Sequence, residues 1–217
     1  ERKNIFLHLK EHKRTLIPMF GGLIFMALIF YSFSFWAPTM MIRAFDISLS
    51  EVGLILGLIT IVSSIIGTIL AGTAVDYLRN KNYADAPVRA AMIAVMLALP
   101  PIILLSFVNT ELGAWICIAL YLLFISSFAP LGLLAISGVS TGNVKGQAAA
   151  IHAFLMMAFG LSLGPQLTAF FTDYIFVNPN LLINSISLSG LIVLPISALL
   201  FKISLPRYRE SSKRVLA

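Results

Sequence analysis

Residues 63–77 read SSIIGTILAGTAVDY, and residues 160–174 read GLSLGPQLTAFFTDY. With a shift of 97 residues, Gly67 meets Gly164, Leu70 meets Leu167, Asp76 meets Asp173 and Tyr77 meets Tyr174. A shift of 92 puts SFWAP (34–38) over SSFAP (126–130), sharing Ser-x-aromatic-Ala-Pro. Each match is short, and their weight lies in falling in the same order along the chain.

The residues between these segments say what the repeats are made of. Apolar residues make up 59% of the 217 positions and charged ones 11%, with a mean hydropathy of +0.96. A water-exposed surface needs more charge than that, so the solvent of most of this chain is lipid. Charges leave six long gaps, approximately 17–42, 49–75, 90–108, 112–138, 147–172 and 181–203. Each is long enough to cross a hydrocarbon core of roughly 30 Å. The repeats pair the first span with the fourth and the second with the fifth. Three spans is an odd number, so the second copy is inverted, with Asp76 and Asp173 expected at opposite membrane faces. The expected fold class is an all-α membrane protein of six transmembrane helices, arranged as two inverted three-helix repeats.

Basic residues fall on alternate connectors. Arg2, Lys3, Lys10, Lys13 and Arg14 precede the first span; Arg79, Lys81 and Arg89 follow the second; Lys145 follows the fourth; Lys202, Arg207, Arg209, Lys213 and Arg214 close the chain. Arg43 alone of the 15 Lys and Arg lies on the other side. The positive-inside rule then puts both termini in the cytoplasm, with a bacterial inner membrane as the expected location. Membrane orientation accounts for the basic charge without a nucleic-acid partner. Residues 1–16, with Ile5, Phe6 and Leu9 among the basic positions, suit a short amphipathic segment on the membrane surface. Residues 17–204 form the six-helix domain and 205–217 a basic tail. The opening ERKNIFLHLKEHKR, without a Met or a signal pattern, suggests a fragment of something longer. SLSE at 48–51 is a capping box, which starts the second helix near Leu49.

No catalytic, cofactor or metal motif appears: there is no Walker loop, HExxH or CxxC. His8 and His12 lack a third ligand and read as solvated histidines. Ser137 and His152 do not make a nucleophile and base, and His152 reads as a packed residue. Cys117, the single cysteine, lies inside the fourth span as a small packing residue. No span has an ionisable group near its middle, so a proton-coupling residue is expected outside this chain. Gly53, Gly57, Thr60, Ser64, Gly67 and Ala71 mark a small-residue stripe on the second span, open to static packing or a sliding contact. On the fifth, Gly160, Gly164, Thr168 and Thr172 make a similar stripe beside Ser162, Gln166, Ala169 and Asp173. It reads as a moving contact that bends at Pro165.

FWAPTMMIR (35–43), GTILAGTAVDYLR (67–79), DAPVR (85–89), KGQAAAIHAF (145–154) and GLSLGPQLTAFFTDYIF (160–176) occur in an order that resembles the C-terminal half of a major facilitator superfamily transporter, spinster-like branch. The resemblance covers nearly the whole chain. Gly72, Asp76 and Arg79 look like a degenerate copy of the superfamily loop motif, with Tyr77 where the stronger form is basic. Lys145 stands where relatives commonly have Arg.

The resemblance implies a twelve-helix carrier whose N-terminal six-helix half is this chain's partner. The first and fourth helices of each half line a central cavity, and the second and fifth meet the other half. The implied cavity residues are Tyr31, Phe35, Trp36, Ser126, Ser127 and Phe128, with Gln166 at the edge. The implied gating and interface residues are Gly67, Gly72, Asp76, Arg79, Lys145, Gly160, Gly164, Pro165 and Asp173. The expected cargo is a small amphipathic or lipid-like molecule, moved by alternating access. Two alternatives stay open: a proton-coupled carrier of a small organic anion using Arg43, and a six-helix membrane enzyme or scaffold.

Overall fold

The computed structural model describes residues 11–140 and 143–216. The opening segment with Ile5, Phe6, His8 and Leu9 lies outside the described residues. Six helical spans run Lys13–Phe45, Leu49–Asn80, Ala86–Phe107, Glu111–Ser137, Val144–Phe176 and Pro179–Lys213, and no strand occurs among the described residues. All six are long and apolar enough to cross a bilayer, which makes this a multi-pass membrane protein. The last helix continues without a break to Leu216, so the basic residues after 205 extend it.

Local chemistry sets the ends of these helices. Ser48 has extended backbone angles and its hydroxyl accepts from the Glu51 amide at 3.3 Å, as the capping box predicts. Thr110 caps the fourth span in the same way, through the Gly113 amide. Asp46 ends the first span in the left-handed region.

Contacts between the ends fix the alternation of direction. Tyr208 donates to the Ala135 carbonyl at 2.7 Å and Arg209 reaches Asp85 at 2.9 Å, so the end of the sixth span meets the end of the fourth and the start of the third. At the other end, Arg43 donates to the Pro179 carbonyl at 3.2 Å. Asp76 therefore lies on the face of Asp85, and Asp173 on the face of Arg43.

The two repeats differ inside their matched segments. The first span passes through Pro18 and Pro38 as one helix. The fourth is interrupted at Ser126–Ser127 and resumes at Phe128. Pro130 has no N–H to give the Ser126 carbonyl, and the Ser127 hydroxyl bonds back to Phe124 at 2.6 Å, which stabilises the turn. The fifth span responds to Pro165 in another way. It holds π-helical turns at Met156–Leu161 and Phe171–Phe176 on either side of the α-helical Ser162–Phe170.

The first and sixth spans form the backbone of the bundle. Ser197, Ser204 and Ser211 recur every seven residues on the sixth span, so they share one face. Ser197 donates to the Gly22 carbonyl at 2.8 Å, Ser204 to the Thr15 carbonyl at 3.2 Å, and Ser211 shares a 2.9 Å bond with the Thr15 hydroxyl. Small hydroxyl residues let two helices approach and satisfy their own polarity against the opposite backbone.

Candidate functional site at the meeting of the first, fourth and fifth spans

Aromatic side chains gather where the first span crosses the broken fourth. Phe30 lies 5.1 Å from Phe128 and 5.4 Å from Tyr31, and Tyr31 is 6.2 Å from Phe128, all between ring centroids. The tilted and edge-on angles suit the ring quadrupoles. Phe128 is buried and Tyr31 half-buried, so this cluster has a wall in the bundle and an open side. One turn further, Phe35 and Trp36 stand edge to face at 5.1 Å, with Phe35 exposed. The Trp36 indole donates to the Pro165 carbonyl at 2.8 Å, tying the first span to the fifth.

The turn of the first span before its repeat segment thus brings Tyr31 and Phe30 against Phe128 of the second segment; the sequence pointed to Tyr31 and Phe128 but not to Phe30. Ser126 and Ser127 take other positions. The Ser126 hydroxyl is 2.9 Å from where a Cβ on Gly67 would stand, so it faces the second span. Ser127 is buried against its own helix and lines a groove between the second, third and fourth spans. Gln166 is exposed on the fifth span.

The fifth-span stripe turns out to be internal. A Cβ on Gly164 would run into the Leu28 carbonyl oxygen, and one on Gly160 would come within 2.9 Å of Ala27. Thr168 shares a 2.7 Å bond with Ser32 and a 2.9 Å bond with Ser189, which joins the first, fifth and sixth spans through one hydroxyl. Gly160, Gly164, Thr168 and Thr172 therefore belong to packing within the bundle; the sequence reading of a moving contact is corrected on this face. Gly67 likewise abuts the Leu123 carbonyl, whereas Gly53, Gly57 and Gly72 have nothing within 4 Å. The second-span stripe is divided between the two roles the sequence left open. Replacing Thr168 by valine is expected to lower stability by about 1 kcal/mol, since it strands the buried Ser32 hydroxyl and takes one bond from Ser189, which keeps its bond to the Ser185 carbonyl. Thermal unfolding of the purified protein measures that loss.

Of the other gating candidates, Arg79 approaches Asp76 only at 3.9 Å and both are exposed. Lys145 and Asp173 are also exposed, and Asp173 makes no ion pair among the described residues. The fully buried carboxylate is Asp85, which the sequence reading quoted only within DAPVR. Its Oδ2 accepts from Arg89 at 3.1 Å and Arg209 at 2.9 Å, and Arg89 stacks on the Tyr83 ring at 4.5 Å. His152 is buried against Phe20, 6.2 Å between centroids, and over Gly132, with Nε2 lacking a partner. No group of His, Cys, Asp and Glu among the described residues forms a metal site.

The exposed surface is unevenly shared. The second span buries 17% of its apolar stretch and the fifth 28%, against 44 to 67% for the other four. On the second span, Leu54, Leu58, Ile61, Ile65 and Ile69 all project outward.

No protein-family model and no curated protein sequence matches this chain. Solved structures do match. A bacterial homologue of the human lysosomal transporter Spinster, inward-facing and unoccupied, superposes with a TM-score of 0.67 at 16% identity, over 98% of this chain and 50% of that one. The same homologue, inward-facing and occupied, gives 0.65 at 14% identity, over 92% and 49%. The chain spans about half the length of the transporter it matches. Its six helices have the fold of one half of a major facilitator transporter, of the kind solved for the bacterial Spinster homologue.

Proposed function

We propose that this chain is the C-terminal half of a carrier that moves a small amphipathic or lipid-like molecule across the membrane by alternating access. The observation that carries this reading is the match of nearly the whole chain to half of a two-half transporter. The exposed second and fifth spans support it, because a partner half would cover those faces. Tyr31 and Phe128, with Phe30 beside them, are the proposed apolar contact for cargo, and the Tyr31 hydroxyl offers a polar end. An uncharged seam of rings favours a cargo whose bulk is apolar. Asp76, Arg79, Lys145 and Asp173, all exposed at the helix ends, are proposed to meet the other half during rocking. The basic flanks support a cytoplasmic side for both ends of the chain.

Transport by the intact carrier in liposomes, with lysophospholipid as the probe, tests the reading. Tyr31→Ala and Phe128→Ala are each expected to reduce uptake about tenfold, the size of one lost aromatic contact. Wild-type uptake should be indifferent to the sign of the headgroup charge. Uptake that follows an imposed pH gradient and demands an anionic cargo would favour the organic-anion carrier instead.

A further inference from the structure

A groove of about 510 Å³ runs between the third and sixth spans. Met92, Met96, Pro195, Ala198 and Leu199 line it, and Lys202 closes one end. Lys202 lies twenty residues after Leu182, roughly 30 Å along the helix axis. That distance takes it from one membrane face to the basic face, while the rest of the groove stays at hydrocarbon depth.

The basic end does not stop at Lys202. Arg209 follows seven residues later, two turns on and on nearly the same side of the helix. It meets Arg89 of the third span through Asp85, and both guanidinium groups use the one oxygen, Asp85 Oδ2. Arg209 and Arg89 thus share one buried carboxylate at this seam, and Lys202 adds a third cation that forms no ion pair among the described residues. Glu210, the next residue, is turned about 100° round the helix. The Nε of Arg89 is buried with no hydrogen-bond partner. The Arg209 side chain remains 47% exposed, with donors to spare beyond its bond to Asp85.

We propose that this seam binds one anionic phospholipid of the surrounding leaflet, with an acyl chain along the groove and the phosphate between Lys202 and Arg209. A long apolar slot at hydrocarbon depth, ending in uncompensated cations at the interface, matches an anionic lipid in both its parts. A protein helix would fill the slot but has no reason to carry a phosphate-like charge at that one end. A second copy of this chain would bring Lys202 to Lys202 if paired through this seam, and like charges would oppose it. The site is separate from the aromatic seam proposed to hold cargo, and the inference does not rest on the transport reading.

Native mass spectrometry of the intact carrier in detergent, with phosphatidylglycerol and phosphatidylcholine of identical chains, tests the site. Wild type is expected to prefer phosphatidylglycerol by at least about fivefold, the worth of roughly one basic residue at a membrane surface. Lys202→Gln should remove that preference, and Lys202→Arg should keep it. Lys81→Gln carries the same charge change on an exposed connector and should leave the preference intact. Ala198→Phe, which fills the slot, should weaken both lipids. The proposal is overturned if wild type holds the two lipids equally, or if Lys81→Gln acts as strongly as Lys202→Gln. Glycerol phosphate competing as well as the lipid would also overturn it, since the groove would then contribute nothing.

Discussion

Gly164→Leu is expected to prevent this domain from folding. At this position the fifth span approaches the first so closely that a Cβ would collide with the Leu28 carbonyl oxygen and stand 3.0 Å from the Ser32 amide nitrogen. Both atoms are helix backbone, so no rotamer change relieves the clash; one helix has to move away from the other. That motion would also break the Ser32 to Thr168 bond and the Trp36 to Pro165 bond, which cross the same seam. Overpacking of this kind costs about 3 kcal/mol or more, a large part of the stability of an ordinary domain. Gly164→Ala should be damaging too, since the collision begins at Cβ. Gly53→Leu is the control: nothing lies within 4 Å of that glycine, and the bundle should fold as before. The amount of monodisperse protein recovered in size-exclusion chromatography, followed by its unfolding temperature, separates the three variants. Equal recovery of Gly164→Leu and wild type would mean that the two helices do not meet as described.

Asp85→Ala is expected to be the second most damaging change. Removing the carboxylate leaves Arg89 and Arg209 facing each other without a counter-charge, and Arg89 is only 24% exposed. Loss of one partner from a buried ion pair costs about 3 to 5 kcal/mol, and the partly exposed arginines put this case at the lower end, about 3. The connector between the second and third spans would also lose its anchor on the sixth. Asp85→Asn retains a hydrogen-bond acceptor and should lose less. A double-mutant cycle with Arg209→Ala should recover part of the Asp85→Ala loss, because it removes one of the two stranded charges. A cycle with no coupling would show that the 2.9 Å contact contributes nothing in the membrane.

The span count and their alternation were legible in the sequence because both depend on one-dimensional quantities. A crossing needs a fixed length of apolar chain, and an odd number of crossings between two repeat copies inverts the second. The capping box at Ser48 was legible for the same reason, since its partners are three residues apart. Other features had a signal that went unread. Ser197, Ser204 and Ser211 stand at heptad spacing in plain view, and Phe30 sits one residue before the chosen Tyr31. Asp85 stood inside a quoted motif, yet nothing local to it announces that Arg209, 124 residues away, will share its oxygen with Arg89.

The small-residue stripes show where reading along the chain ends. Glycines at three- and four-residue spacing declare that something approaches closely, and that much the sequence determined. Which helix approaches is a property of how the helices are turned about their axes. Gly164 could serve the first span or a surface outside the bundle equally well as a pattern, and only the packed bundle turns it toward Leu28. The same rotation sends Ser126 to Gly67 and leaves Phe128 with Tyr31, although Ser126 and Phe128 stand two residues apart in one repeated segment. The sequence by itself determined six crossings, their inverted pairing and the cap at Ser48, because hydrocarbon thickness and helix geometry act on each segment separately. The tertiary structure alone decided which face of each helix is spent inside the bundle and which remains open, because that choice is made by side chains from several helices competing for the same space.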